Sequence, residues 1–186
     1  VRLGASFVAP AGAGLAFVLL ALGALSKAGA VGLHLWLPDT YAAADDEGTT
    51  FFSAVVSKAA VLALLVFASV LVSAGAFGVG ATADGVRGAD VGAAILGWVG
   101  VATALAGALL AVFQEDAKYL LAYSSMSQIG YMILGVSIMS HLGWVSGLYL
   151  TVLHAIFKAM LFLALAGVIK RTGTTEMYRL GGLIKR

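Results

Sequence analysis

Five stretches of this chain are apolar for long enough to cross a bilayer, and that length constrains the fold more than any other feature. They run over residues 4–37, 52–74, 91–113, 120–139 and 143–169. A spanning helix needs about 20 mostly apolar residues. Water is missing at that depth, so each span must bond its own backbone, and helices do so. The short alternating segments of a β-barrel do not appear in the sequence. An all-α, polytopic membrane helix bundle follows, with about five transmembrane helices, one of them broken. Composition agrees: 61% hydrophobic residues against 11% charged, with mean hydropathy +1.02, leaves no polar shell for a water-facing domain. The net charge of +2 argues against a nucleic-acid surface, and the lack of cysteine removes disulfides, thiolate metal sites and thiol nucleophiles. No signal peptide stands out. The start at Val1 and the end in GGLIKR suggest that 1–186 is the central fragment of a longer membrane transporter domain, without a separate soluble domain.

The first stretch is too long for one straight span. Lys27 lies within it, followed by AGAVG with Gly29 and Gly32. Irregular backbone is tolerated at membrane depth where it lines a cavity, and glycine permits it. The stretch therefore reads as a helix broken after Lys27, then a short half-helix ending at Trp36, Leu37 and Pro38; such broken helices build ion sites in transporters. The competing reading is one long tilted helix. In the third stretch Gly97, Gly100, Ala104, Gly107 and Ala111 share a face, which allows close helix packing. Trp36, Trp98 and Trp144 lie towards span ends, as interfacial aromatics do.

Loop 38–50, loop 114–118 and the tail 170–186 fall on one side of the membrane. That side carries Lys118, Lys170, Arg171, Arg179, Lys185 and Arg186, against Arg2 and Arg87 on the other. The asymmetry predicts a cytoplasmic position for the first side. Asp45, Asp46 and Glu47 read as a solvated loop.

Lys27, Lys58 and Lys158 do not belong in lipid: a lysine at bilayer depth costs at least about 2.5 kcal/mol. Lys58, near its helix start, can also be read as snorkelling to the surface. In LHAIFKAMLFLALAG (153–167) all but two residues are apolar or glycine, and those two, His154 and Lys158, stand four apart on one helix face. Thr151 extends that face. Ser124, Ser127, Gln128 and Tyr131 form a second polar stripe at helical spacing. Such side chains donate and accept, so they hold a water chain or glue helices together. Desolvation disfavours a charged ammonium group and imidazole titrates near neutral pH, so paired bases suit proton transfer. No Asp or Glu lies deep in a span; Asp39 stands at a span end. A carboxylate partner is expected from outside this segment.

SKAGAVGLHLWLPD (26–39), AVFQEDAKYLLAYSSMSQIGYMILG (111–135) and LHAIFKAMLFLALAG (153–167) together resemble the antiporter-like membrane subunits of respiratory complex I, Mrp-type sodium/proton antiporters and membrane-bound hydrogenases. The resemblance covers essentially the whole chain. It implies a proton-conducting domain of about fourteen helices in two inverted repeats, each with a broken helix. It also implies that Lys27 is the broken-helix lysine, pairing with a glutamate on an earlier helix. Lys58 is then the connecting base, and His154 with Lys158 the central pair. His34, Asp39, Ser124, Ser127, Gln128, Tyr131 and Thr151 would support the path. Where relatives carry proline between the LPD motif and the next helix, this chain reads AAADDEGTTFFSA.

The expected function is a proton-translocating, non-catalytic subunit of an NADH:quinone oxidoreductase-type complex. A sodium/proton antiporter subunit is the alternative, and a non-conducting scaffold the third reading. The sequence has no Gly-rich dinucleotide loop and no cysteine cluster, so no cofactor and no metal are expected in this chain. Expected partners are other membrane subunits, the lipid bilayer, and protons, with sodium as the other candidate ion. The expected setting is a prokaryotic cell membrane.

Overall fold

Helix α1, Ala13–Ala28, stops where the sequence turns to glycine. Gly29 and Gly32 have φ of +80° and +84°, a region that L side chains avoid. The structure, a computed structural model, describes the backbone over 13–73 and 88–180, and side chains over 18–70 and 92–180. Arg2, Arg87, Lys185 and Arg186 lie outside these residues. At the break, the backbone groups find other partners. The Val31 N–H donates to the Thr103 hydroxyl at 3.1 Å, and the Trp36 indole N–H donates to the Ser26 carbonyl at 2.9 Å.

The break falls at the expected glycines, but the short helix after it does not end at Trp36–Pro38. It begins there, as α2, Trp36–Ala43. Pro38 sits in its first turn, where a missing N–H costs nothing. Loop 38–50 is accordingly mostly helical. After a bend at Ala44 and Asp45, α3 (Asp46–Phe51) runs through a π-helical turn (Phe52–Val56) into α4 (Ser57–Ser73). The second span thus starts some six residues before the expected 52. Helices α5 (Gly88–Val112), α6 (Ala117–Ser137) and α7 (His141–Thr172) follow, with a 3₁₀ turn at Met177–Arg179.

Among the described residues, three helical stretches are long and apolar enough to cross a membrane: Asp46–Val70, Gly92–Val112 and His141–Thr172. The described apolar part of α1 is shorter. Helix α6 has the length, with 21 residues, but serine, glutamine and tyrosine dilute its hydropathy. That dilution has a structural reason. Helix α6 is central, packed by α5, α7, α2 and α4. Its buried Ile129, Met132, Ile133 and Val136 join Leu25 and Ala28 of α1, Val61 and Leu64 of α4, and Leu96 of α5 in one core.

The small-residue stripe of α5 lies against α6 at backbone distance. A Cβ placed on Gly107 would stand 2.5 Å from the Ser127 amide nitrogen and 2.9 Å from the Tyr123 carbonyl oxygen. The buried face of α7 reads Gly143, Gly147, Thr151, His154, Lys158 and Phe162, while Leu148, Val152, Ile156, Met160 and Leu163 point outward. A helix with its polar residues inside and its aliphatic ones outside fits lipid, where burial of apolar groups against protein brings little gain.

A candidate proton path between Lys58 and Lys158

The site begins at the π turn. In an α-helix the Ser57 N–H would donate to Ser53; here it donates to Phe52 instead. The Ser53 carbonyl is thereby open, and Lys58 Nζ donates to it. Lys58 lies twelve residues into a continuous helical stretch that starts at Asp46, and it is 3% exposed. It does not snorkel, because the helix enters earlier than the sequence suggested.

Across from it, Lys158 is 2% exposed and donates to the Leu121 carbonyl at 2.8 Å and to the Ser124 hydroxyl at 2.6 Å. Its ammonium lies 5.9 Å from the centre of the Phe162 ring. Between the lysines stand two serines that the sequence reading did not single out. Ser125 donates to the same Leu121 carbonyl at 2.9 Å, and its hydroxyl oxygen lies 3.5 Å from that of Ser53. The polar run is therefore Lys58, Ser53, Ser125, the Leu121 carbonyl and Lys158, drawn from α4, the π turn, α6 and α7.

His154 is fully buried, edge-on to Phe157 with ring centres 4.8 Å apart. Neither of its ring nitrogens has a hydrogen-bond partner among the described residues. It lies within electrostatic reach of both lysines. An imidazole takes up a proton at one nitrogen and releases one from the other, so it suits a relay position.

The other expected residues are spread more widely. Thr151 is buried one turn from His154, but its hydroxyl donates to the Gly147 carbonyl at 2.7 Å. Ser127 is buried against α5, Gln128 is half-buried, and Tyr131 is 51% exposed. The α6 stripe thus does not act as one face: of its four members, Ser124 alone bonds Lys158. Lys27 is exposed and lines a cleft of about 300 Å³ between α1 and α4, with Leu20, Ala24, Ala60 and Phe67. His34 is half-buried with an unpartnered Nδ1. Asp39 is exposed and accepts from the Tyr119 hydroxyl at 3.0 Å.

Among the described residues, no carboxylate forms an ion pair with Lys27, Lys58 or Lys158; the pairs found are Lys118–Asp46 and Arg179–Glu176. No three His, Asp or Glu residues gather there in a way that could hold a metal ion. A further buried group, Tyr41, shares a 2.8 Å hydrogen bond with Ser57. A polar residue in an eight-residue loop-like stretch gave no periodic signal that it would be buried.

Fold and site define a multi-pass integral membrane protein whose interior is basic and hydroxyl-lined while its exterior is apolar. The chain belongs to the NADH:quinone oxidoreductase/Mrp antiporter transmembrane family, whose model matches residues 7–186. It is 36% identical over 170 residues to a probable K(+)/H(+) antiporter protein of Rhizobium meliloti, covering 91% of this chain and 16% of that one. It is 38% identical over 152 residues to NAD(P)H-quinone oxidoreductase chain 5 of Picosynechococcus, covering 82% and 20%. The chain thus spans a fifth or less of the length of these two relatives. Its fold is similar to a chain of the Mrp complex from Dietzia, with TM-score 0.79, 27% identity, and coverage of 92% of this chain and 29% of that one. It is also similar to a chain of the membrane-bound sulfane sulfur reductase, an archaeal respiratory membrane complex, with TM-score 0.77, 36% identity, and coverage of 87% and 26%.

Proposed function

We propose that this chain is part of a proton-translocating membrane subunit, in which Lys58, His154 and Lys158 pass protons along the membrane interior. The observation that carries the reading is that both buried ammonium groups converge on one cluster of serine hydroxyls: Lys58 is aimed by the Ser53 carbonyl, the Ser53 and Ser125 hydroxyls lie 3.5 Å apart, and Lys158 donates to the Ser124 hydroxyl at 2.6 Å. Two buried ammonium groups with no carboxylate partner among the described residues are a large cost for a scaffold to carry. The carbonyls only aim the ammonium groups. Protons themselves move on amines, imidazole, hydroxyls and water, because those groups can both lose and regain a hydrogen.

The whole protein is read as a subunit of a quinone-reducing redox complex with other membrane subunits as partners, in a prokaryotic cell membrane. Quinone oxidoreductase subunits from bacteria are among the relatives, alongside chloroplast and fungal ones. An antiporter subunit is the second reading, favoured by the K(+)/H(+) antiporter relative and the Mrp complex. Protons are the proposed ion in both, with sodium or potassium as the counter-ion only in the second.

The test is made on the full-length subunit in its complex, in sealed vesicles. Lys158→Ala should lower proton translocation at least about tenfold with assembly intact, since a proton-transfer group is removed. Lys158→Arg should rescue poorly, because a guanidinium does not release its proton. Wild-type pumping by the Arg variant would make Lys158 a fixed charge and end the relay reading for it. Normal coupling in Lys58→Leu and Lys158→Leu together would favour a scaffold. Translocation driven by quinone reduction, or by an imposed sodium or potassium gradient, separates the two transport readings.

A further inference from the structure

Tyr41 stands on α2, just past the helix break, and is fully buried. The two ends of its side chain touch different parts of the path. Its hydroxyl shares the 2.8 Å bond with Ser57 and donates to the Phe52 carbonyl at 3.3 Å. Phe52 opens the π turn and Ser57 follows its last residue. Its ring meets Phe162 edge-on, with centres 5.9 Å apart at 87°, and Phe162 is the ring beneath the Lys158 ammonium. The Tyr41 carbonyl in turn accepts from the Thr49 hydroxyl at 2.9 Å, so α3 fixes its backbone.

Building on the relay reading, we propose that Tyr41 is a positioning residue that ties the broken-helix segment to both buried lysines. Its hydroxyl holds the π turn that aims Lys58 at Ser53. Its ring holds the surface on which Lys158 rests. A displacement of α2 then reaches both ammonium groups through one rigid side chain. Tyr41 carries no proton in this scheme.

The titratable groups around these contacts are Lys58 on α4 and His154 and Lys158 on α7; α6 contributes the hydroxyls of Ser124 and Ser125. The experiment uses the full-length subunit in its complex, in sealed vesicles, with proton translocation per assembled complex followed across pH. Tyr41→Leu should cut the rate about tenfold, and Tyr41→Phe, which keeps the ring, should recover to within about threefold of wild type, as small misplacements of reacting groups do. Tyr41→Phe should also displace the pH of half-maximal rate by about half a unit, because it alters how a relay group is held. Ser57→Ala removes one of the two hydroxyl contacts from the other side, so it should shift the rate and the pH profile in the same direction as Tyr41→Phe, and the double variant should be no worse than Tyr41→Phe alone. Should the Leu variant fail to assemble, Ser57→Ala and Tyr41→Phe decide the matter. Wild-type rate and pH profile in both overturn the proposal. So does an equal loss at every pH with no recovery by Phe, the mark of packing alone. Lys158→Ala in the same vesicles keeps the two ideas apart. If it too pumps normally, the relay reading falls; if it is inactive while Tyr41→Phe and Ser57→Ala are normal, only the role of Tyr41 falls.

Discussion

Lys58 is 3% exposed and faces a backbone carbonyl, where an ammonium group retains only part of its hydration energy. An unpaired buried charge is costly, and an apolar residue of similar volume removes that cost. Lys58→Met should therefore keep or raise the melting temperature in detergent while translocation falls. A large drop in melting temperature would make the lysine a structural anchor instead. Thr103 presents the opposite case. Its hydroxyl accepts the Val31 N–H at the helix break. Thr103→Val leaves that donor without a partner and should cost about 1–3 kcal/mol, with Thr103→Ser losing less, measured by thermal or denaturant unfolding. That His154 and Lys158 share the buried face of α7 was legible in the sequence, because α7 buries a single face and spacing alone fixed which residues look inward. Ser53 and Ser125 were not. Helix α6 has neighbours on several sides, and no periodicity tells which hydroxyl meets which neighbour.

Among the elements, the helix break and the α5 stripe were both readable, since each depends on glycine for a local reason. At Gly29 the reason is φ of +80°. Gly29→Ala should cost about 1–2 kcal/mol from backbone conformation alone, and its Cβ would also press on the Leu37 side chain. At Gly107 the reason is distance, because α6 backbone occupies the space a side chain would need. Gly107→Val should force α5 and α6 apart and lower stability by about 1–3 kcal/mol, as overpacking does. Loss of melting temperature checks both, and an unchanged Gly107→Val protein would refute the close approach. The helices α2 and α3 were missed. Their stretch, WLPDTYAAADDEGTTF, carries a proline, several acids and no apolar period, so it looks like a loop. Tertiary contact with α6 and α7 supplies the stability that its own propensity does not.

At the scale of the molecule, three segments distant in sequence gather at one end. Lys118 pairs with Asp46 at 3.0 Å and donates to the Ala44 carbonyl at 3.3 Å. Asp116 caps α6 and accepts from the Thr175 hydroxyl, and Met177 N–H donates to the Glu115 carbonyl at 3.0 Å. The expected grouping of loop 38–50, loop 114–118 and the tail is present, so far as the described residues reach. Cysteines at Asp46 and Glu176 should thus be labelled from the same side of sealed vesicles, and one at His141, past the far end of α6, from the opposite side. Labelling of His141→Cys together with Asp46→Cys would sink this topology. Which side is cytoplasmic rests on the basic-residue count.

The π turn at Phe52–Val56 shifts the register of everything that follows it in the helix. It fits an extra residue into one helical turn. A relative with a regular helix here would be one residue shorter, and an ungapped comparison would then place its counterpart of Lys58 one column away, about 100° around the helix. The functional equivalent of this lysine is to be sought in neighbouring columns, by its position in space and not by its count along the chain.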